Sequence, residues 1–365
     1  MKRVLIFGMT DNPGGMENCI MNYYRNIDKN KIHFDFLTNF QQIAYQQELE
    51  AGNSKIFVIP KKGDNLLNYK RELINFFKDN AKDYDVIWYN TCSLANIDYL
   101  KMAKKYGIKK RIIHAHNSGN EASQIKYLFH KINRRLISKY ATDFWSCSMN
   151  AARYFFNDNI ISSSKHNLVY NAINLKDFSF DNTMRNKIRK ELQIDDCFVI
   201  GNVGRFQIQK NHLFLIDIFW QVLKKRSDAV LLLIGQGELE SQVQERVQKY
   251  GLEKKVIFLG VRDDVNKILS ALDVFVFPSL FEGLGLALIE AQAVGLPCIT
   301  SNVVVPNEVN ITGLVKFVNL DHNPEEWASA ICQVDLTKER DTFDSMIISN
   351  GYDIRAESKK LEKMF

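Results

Sequence analysis

The chain has 365 residues, of which 46% are hydrophobic and 25% charged, and its formal net charge at pH 7 is +6. This length is too great for one ordinary hydrophobic core and suits two domains of similar size. No stretch reaches the ~18 consecutive apolar residues of a membrane-spanning helix, and so mild a positive charge gives little reason to expect a nucleic-acid partner.

The first residues, MKRVLIFG, lead straight into an apolar strand without the apolar region and cleavage site of a signal peptide. We therefore expect a cytoplasmic protein.

The six cysteines are spread singly along the chain and form no C-x-x-C pair. This spacing indicates core thiols rather than a zinc site or a disulfide framework.

The first half alternates short apolar runs with helical stretches, as in a doubly wound parallel sheet. It opens with a strand at 2–8, a loop ending in Gly14-Gly15, and a helix at 16–27. The loop lacks the full G-x-G-x-x-G of dinucleotide-binding folds, so hydride chemistry is not expected. Further strands are predicted at 34–38, 55–59, 86–89, 111–114, 143–148 and 166–170, and further helices at 65–80 and 97–106.

Two patterns in this half suggest metal ligands. Asp83-Tyr-Asp85 has the D-x-D form that can hold a metal ion in some enzymes, but it precedes a strand, and we interpret it as the residues that lead into that strand. His114 and His116 lie two apart at a strand end and could form half of a metal site. The sequence shows no third ligand, and no metal cofactor is predicted.

Residues 124–139 form a basic amphipathic helix. One predicted face carries apolar side chains from Ile125 to Ile137, and most of the basic side chains lie elsewhere. Two interpretations are open: the apolar face packs on the domain core, or the helix docks peripherally on an anionic membrane at the inner face of the cell membrane.

The second half begins with a strand at 198–203, followed directly by Gly204-Arg205-x4-Lys210-Asn211. Arginine and lysine five residues apart around a strand-to-helix loop can bind a diphosphate from two sides. The alternative is a solvated basic turn. Strands at 229–235 and 256–260 follow, with a charged helix at 238–250 between them.

The stretch from 277 to 300 carries two carboxylates, Glu282 in a loop and Glu290 in a helix predicted at 284–294. Gly283 and Gly285 let the backbone approach a ligand, and the free N–H groups of residues 286–288 would favour an anion. Alternatively, Glu282 caps the helix and Glu290 is an ordinary exposed residue.

Four motifs, in this order, together resemble the retaining nucleotide-sugar glycosyltransferases of family 4, also called glycosyl transferases group 1. They are Gly14-Gly15-Met16-Glu17, the strand-ending His116, Gly204-Arg205-x4-Lys210-Asn211 and Glu282-x7-Glu290. The segment 171–178 also resembles the family's N-G-I-D-x-x-x-F connection, with Ala172 in place of glycine. The resemblance covers nearly the whole chain and is strongest over residues 200–315.

This resemblance implies the α/β GT-B fold, in which two Rossmann-like, doubly wound parallel-sheet domains face a cleft. We place an acceptor-binding domain at 1–175 and a nucleotide-sugar-binding domain at 176–349. The last helix, at about 350–365, is expected to cross back to the first domain.

The resemblance also implies roles for individual residues. Arg205 and Lys210 would hold the donor diphosphate, Glu282 the sugar hydroxyls, Glu290 the ribose hydroxyls, and His116 the far side of the sugar. The residues implied in catalysis are His116, Arg205, Lys210 and Glu282. Those implied in donor binding are Gly14, Gly15, Arg205, Lys210, Val261, Gly285, Leu286, Ala287 and Glu290.

The implied reaction is metal-independent transfer of a sugar, with retention, from a nucleotide-diphosphate sugar to a glycan or lipid-linked glycan in capsular or exopolysaccharide biosynthesis. UDP is the commonest donor nucleotide in the family. Two alternatives stay open: a sugar-nucleotide epimerase of the same fold, and a non-catalytic partner in a polysaccharide-synthesis complex. A phosphorylase would need a pyridoxal-binding lysine and a much longer chain.

Overall fold

The computed structural model describes residues 1–119, 123–282, 285–302, 307–336, 340 and 343–365. The chain folds into two compact units. Unit 1 comprises residues 1–172 and 354–365, and unit 2 comprises residues 173–353.

Unit 1 contains a seven-stranded sheet within its described residues, in the order β3-β2-β1-β4-β5-β6-β7. Neighbouring strands run parallel, as the alternation in the sequence predicts. The strands are β1 Lys2–Phe7, β2 Ile32–Thr38, β3 Ile56–Val58, β4 Val86–Thr91, β5 Lys110–Ala115, β6 Asp143–Ser146 and β7 His166–Leu168.

Helices cover both faces of this sheet, because successive strand side chains point to opposite faces and both sets are apolar. Leu5 and Ile87 belong to one buried cluster, whereas Val4 and Trp88 belong to the other. The helices are α1 Gly15–Asn26, α2 Gln46–Ala51, α3 Leu66–Asn80, α4 Asp98–Lys105, α5 Gln124–Leu136, α6 Met149–Phe155 and α7 Asp158–Ile161, with 3₁₀ helices at Ala81–Asp83 and Ile137–Lys139.

Unit 2 contains a six-stranded parallel sheet within its described residues, in the order β10-β9-β8-β11-β12-β13. Its strands are β8 Phe198–Val203, β9 Ala229–Ile234, β10 Val256–Gly260, β11 Val274–Phe277, β12 Cys298–Ser301 and β13 Val315–Val318. Its helices are α8 Asn182–Leu192, α9 His212–Lys225, α10 Glu240–Lys249, α11 Val265–Ala271, α12 Leu286–Ala293, α13 Pro324–Cys332 and α14 Asp344–Ser349, with 3₁₀ helices at Leu175–Asp177, Ile208–Lys210 and Asn307–Val309.

The last helix, α15 Ile354–Met364, packs on α1 within unit 1. Its Leu361 is buried, and the aromatic ring of Phe365 lies 5.6 Å from the rings of both Trp88 and Trp145. Residues of α15 and Phe365 therefore pack in the same buried cluster as Val4 of β1. No helix in the described part of the chain has both the length and the apolar character to cross a bilayer.

Most of the apolar face of α5 is exposed. Its buried side chains are the polar His130 and Asn133, whereas Ile125, Leu128 and Phe129 are 68%, 58% and 51% exposed. The polar pair faces inward because it satisfies backbone groups of the loop after β4: Leu94 N–H donates to His130 Nδ1, and Asn133 Nδ2 donates to the Leu94 carbonyl. The interpretation that this apolar face packs on the core is therefore wrong for Ile125, Leu128 and Phe129, whereas Ile137, in the 3₁₀ helix that follows, is buried in the core.

A buried carboxylate ties strand β2 to its neighbours. Asp35 has no exposed surface and accepts hydrogen bonds from Arg3, from the Tyr84 hydroxyl and from the Lys55 amide, at 2.7 to 2.9 Å. Burial by itself would raise the pKa of Asp35, but these donors and the nearby His33 outweigh it, and the net pKa lies below the ordinary value. The fold therefore stabilises the ionised form of Asp35.

We expect Asp35→Asn to lower the free energy of unfolding by about 3–5 kcal/mol, because it breaks a buried ion pair and misplaces donors that need an anion. Urea denaturation at pH 7 measures this, with Asp79→Asn on the exposed side of α3 as the control. Folding lowers the pKa of Asp35. The carboxylate therefore adds to the free energy of unfolding at pH values above its pKa in the unfolded chain, and this contribution is lost as the pH falls through its pKa in the folded protein. If the difference in the free energy of unfolding between the two variants stayed constant down to pH 2, this account would be contradicted.

Candidate functional site

The motif residues of unit 2 come from loops that leave the carboxyl ends of β8 and β11, which are neighbours in the sheet. Ligands of open parallel sheets bind at this edge. Residues 204–211 follow β8, and residues 278–285 follow β11 and lead into α12. The topology therefore brings the Arg-Lys motif beside the two-glutamate motif, although the two are far apart in sequence.

Lys210 and Glu282 form a buried ion pair in which Nζ lies 2.7 Å from Oε1. Their side chains are only 17% and 7% exposed. Nζ also lies 4.5 Å from the centre of the Phe277 ring, a cation–π contact. A Cβ on Gly204 would come within 3.1–3.3 Å of the Lys210 side-chain carbons, so the glycine leaves the lysine room. Lys210 is thus held in one position from three sides.

Arg205 has a different environment. It pairs with Glu238 at 3.2 Å, and both side chains are about half exposed. The loop that carries it lies tightly against residues 235–237, because a Cβ on Gly235 would lie 2.2 Å from the Gly204 carbonyl oxygen. The backbone at Arg205 is fixed, while its guanidinium group remains accessible.

Helix α12 begins where the sequence places an anion site. Gly285 precedes it with φ +81°, a left-handed conformation that favours glycine. Leu286 and Ala287 form its first turn, but the N–H of Leu288 donates to the Gly285 carbonyl at 2.9 Å. The expectation of three free N–H groups is therefore wrong for Leu288. Gly283 lies outside the described residues.

Glu290 lies in the second turn of α12. Burial raises the pKa of Glu290 to about 7, and the nearby Lys210 opposes that shift. The carboxyl group therefore changes charge near neutrality, which an ordinary exposed helix glutamate does not do.

Val261 lies at the same sheet edge. It follows β10 directly, after Gly260 with φ +64°, and is 58% exposed. The Gly260 carbonyl accepts from the Gly235 N–H at 2.8 Å, which ties this loop to the one after β9.

In unit 1 the Gly14-Gly15 loop is held by Glu17. The buried carboxylate accepts from the Thr10 hydroxyl at 2.7 Å and from the Gly14 N–H at 3.1 Å. A Cβ on Gly14 would lie 2.8 Å from Glu17 Oε2, whereas one on Gly15 would meet nothing within 4 Å. The Gly14 amide is thus already used within the loop, and of the two glycines Gly15 has open space beside it. The sequence reasoning assigned no role to Thr10 or Glu17.

His116 lies just beyond β5, and Asn90 fixes its ring. The Asn90 Nδ2 faces the Trp88 carbonyl at 3.3 Å, so Asn90 Oδ1 is the atom that lies 2.9 Å from His116 Nε2. An amide oxygen only accepts, and therefore Nε2 carries the hydrogen and Nδ1 is a bare acceptor. Burial lowers the pKa of His116 to about 3, which keeps the ring neutral. Sequence reasoning missed Asn90, because its role depends on contact between neighbouring strands.

His114 is a buried core residue. Its ring centre lies 4.0 Å from that of His116, and its Nε2 contacts the Val169 carbonyl at 3.1 Å. Asp85 accepts from the Arg3 backbone N–H, and Asp83 lies in a 3₁₀ helix before β4. Across the described residues, no group of three or more His, Cys, Asp or Glu side chains is arranged to hold a metal ion.

Comparisons with known proteins identify the family. Residues 184–351 match the model for "Glycosyl transferases group 1". The chain is 31% identical over 362 residues to the EpsF protein of Bacillus subtilis (strain 168), named as a glycosyltransferase, covering 96% of this chain and 93% of EpsF. It is 26% identical to the capsular polysaccharide biosynthesis glycosyltransferase CapH of Staphylococcus aureus, over 78% of this chain and 77% of CapH.

Two further proteins are similar to the chain. A UDP-Gal:alpha-D-GlcNAc-diphosphoundecaprenol alpha-1,3-galactosyltransferase of Escherichia coli is 37% identical over 137 residues, which is 34% of this chain and 35% of that protein. The fold matches Anabaena HepE, crystallised with UDP and glucose, with a TM-score of 0.78 at 20% identity over 100% and 99% of the two chains. The two parallel-sheet domains are those of the GT-B fold, and the chain belongs to the glycosyl transferases group 1 family.

Proposed function

We propose that the protein is a retaining glycosyltransferase of family 4 that moves a sugar from a UDP-sugar to a glycan or lipid-linked glycan during cell-surface polysaccharide synthesis. The observation that carries the proposal is the buried Lys210–Glu282 pair beside the start of α12. A fixed cation, a carboxylate and free helix N–H groups suit a sugar bonded to a diphosphate.

The reaction breaks the bond between the sugar's anomeric carbon and a diphosphate oxygen, and the leaving diphosphate gains negative charge. Lys210, Arg205 and the N–H groups of Leu286 and Ala287 would stabilise that charge, together with the Gly15 amide. The electron pair of the broken bond stays on the diphosphate, while the acceptor hydroxyl forms the new bond to the anomeric carbon and passes its proton to the leaving diphosphate oxygen. Retention would follow from attack on the face that the diphosphate leaves.

The carboxylates and the histidine would bind hydroxyl groups. Glu282 would accept hydrogen bonds from the sugar and Glu290 from the ribose, while Val261 would present backbone groups to the base. His116 would offer its bare Nδ1 to a hydroxyl on the far side of the sugar, since Asn90 already uses Nε2–H. A neutral imidazole that accepts at this atom is better suited to a hydroxyl than to a phosphate oxygen.

The names of the relatives support the substrate classes. CapH is named for capsular polysaccharide biosynthesis, and the E. coli galactosyltransferase uses UDP-Gal and an acceptor on diphosphoundecaprenol. A lipid-linked acceptor would bring this enzyme to the inner face of the cell membrane. At that location the exposed apolar face of α5 could contact the lipid bilayer.

Helix α5 has a surface suited to an anionic bilayer. Ile125, Leu128 and Phe129 are available for shallow insertion, and Lys126 and Lys131 are exposed on the same helix. Arg134 is not part of this surface, because its guanidinium donates to the carbonyls of two α6-region residues, Arg153 and Phe156. Each exposed cation adds about 1 kcal/mol near anionic lipid.

We expect Lys210→Met and Arg205→Ala each to lower kcat by about 10²–10³, because each removes a preorganised donor to the leaving diphosphate. Radiolabelled UDP-sugars measure transfer and hydrolysis. Arg71→Ala, which removes an exposed arginine paired with Glu72, is the control for Arg205→Ala. Unfolding is monitored because Lys210→Met breaks the buried ion pair with Glu282. Normal turnover by a folded variant would reject the role of that residue.

Transfer should not need a divalent cation, since in this proposal the fixed cations and amides would stabilise the developing charge. Activity is measured after dialysis against excess EDTA and again with added Mg²⁺ or Mn²⁺. We expect unchanged rates in all three conditions. Loss with EDTA and recovery with one metal would refute metal independence and return Asp83 and Asp85 to consideration.

Binding to vesicles should require anionic lipid and fall as salt rises. Co-sedimentation with phosphatidylglycerol vesicles compares the wild type with Lys126→Glu/Lys131→Glu and with Phe129→Ser, and we expect both variants to bind several-fold less. Lys249→Glu/Lys254→Glu makes the same charge change on exposed positions of unit 2 and should bind normally. Equal binding to neutral and anionic vesicles, or no loss in the α5 variants, would exclude this surface as a membrane contact.

A further inference from the structure

The two motif loops of unit 2 are joined by a short run of hydrogen bonds in addition to the Lys210–Glu282 pair. The Leu280 N–H donates to the Gln209 carbonyl at 2.8 Å, and Gln209 Nε2 donates to the Phe281 carbonyl at 2.8 Å. Asn211 Nδ2 donates to the Pro278 carbonyl at 3.2 Å. Residues 209–211 and 278–281 therefore lie side by side, and Gln209 contributes two of the three bonds.

The side chain of Gln209 can make its bond in only one orientation. Its Oε1 accepts from Gln207 Nε2 at 3.1 Å, and its Nε2 faces a carbonyl, which only accepts. Turning the amide over would place oxygen against the Phe281 carbonyl and nitrogen against the Gln207 donor. The contacts therefore fix the direction of the amide as well as its position.

The position of Gln209 in the chain gives this bond a functional consequence. Gln209 immediately precedes Lys210, and the carbonyl it holds belongs to the residue immediately before Glu282. On each side of the ion pair, the backbone next to the charged residue is thus tied to the other loop. These bonds hold the two loops side by side, and across them Lys210 Nζ lies 2.7 Å from Glu282 Oε1.

We propose that Gln209 is a positioning residue for the donor site, which sets Glu282 and Lys210 relative to each other without touching the substrate. This inference rests on the proposed function, in which Glu282 meets the sugar and Lys210 the diphosphate. Without the donor at Nε2, the Phe281 carbonyl loses its partner and the Glu282 loop can shift. A displacement of about 1 Å at a reacting centre lowers turnover by about 10²-fold.

If Gln209 has this positioning role, its substitution should lower the rate of sugar transfer much more than the affinity for UDP. Uridine and ribose contacts lie on α12 and on the loop after β10, and Lys210 itself remains present. The affinity for UDP should therefore change little, while transfer of the sugar, which depends on Glu282, should fall. A residue that only stabilises the fold would lower the unfolding temperature and weaken UDP binding along with the rate.

The test compares Gln209→Met, which keeps the length of the side chain and removes the donor, with Gln209→Glu, whose carboxylate repels the Phe281 carbonyl. Gln244→Met, at an exposed position of α10, is the matched control. The measurements are UDP affinity by calorimetry, unfolding temperature, and kcat and KM with UDP-glucose or UDP-galactose, whichever the wild type uses.

We expect kcat to fall about 10- to 100-fold in Gln209→Met and further in Gln209→Glu, with UDP affinity within about threefold of the wild type and a normal unfolding temperature. A wild-type kcat in Gln209→Met overturns the inference, as does a parallel loss of kcat, UDP affinity and stability. A wild type that binds no UDP and uses neither UDP-sugar overturns the proposed function instead, and this outcome is seen before any variant is made.

Discussion

The buried pair of Lys210 and Glu282 determines how the candidate site of unit 2 is built. Two charges with so little exposed surface depend on their mutual contact, since breaking a buried ion pair costs several kcal/mol. The loops after β8 and β11 must therefore stay together. The surrounding details serve this requirement: Gly204 leaves space for the lysine, Phe277 lies beneath its ammonium group, and Gln209 bonds the backbones beside it.

Much of this organisation could be predicted from the sequence, because it depends on patterns that are local. Continuous apolar runs such as Phe198–Val203 are typical of strands buried on both faces, and their alternation with helices predicts a parallel sheet. The parallel sheet then places Arg205, Lys210, Glu282 and Glu290 at one edge. The position of each motif after its strand was sufficient for this.

The roles that could not be predicted depend on which side chain reaches which backbone group. Glu17 turns back to the Gly14 amide, Asn90 sets the tautomer of His116 across a strand pair, and Gln209 bonds a residue 72 positions away. The orientation of α5 could not be decided for the same reason. Apolar periodicity left open whether Leu128 and Phe129 face the core or a membrane, but His130 and Asn133 satisfy the backbone of Leu94, and unpaired buried amides and carbonyls are too costly to leave.

The two cations proposed to bind the diphosphate, Arg205 and Lys210, have different surroundings. The Arg205–Glu238 pair is about half exposed, and exposed ion pairs contribute only about 0–1 kcal/mol, so a diphosphate can take this guanidinium from its carboxylate at little cost. Lys210 is largely buried with Glu282, and separating them would break a buried ion pair. A bound diphosphate would therefore share Lys210 with Glu282 rather than replace it. In the proposed function the lysine would give a fixed charge at the leaving group, Glu282 would keep its bond to Lys210 beside the sugar, and Arg205 would bind the diphosphate from the exposed side.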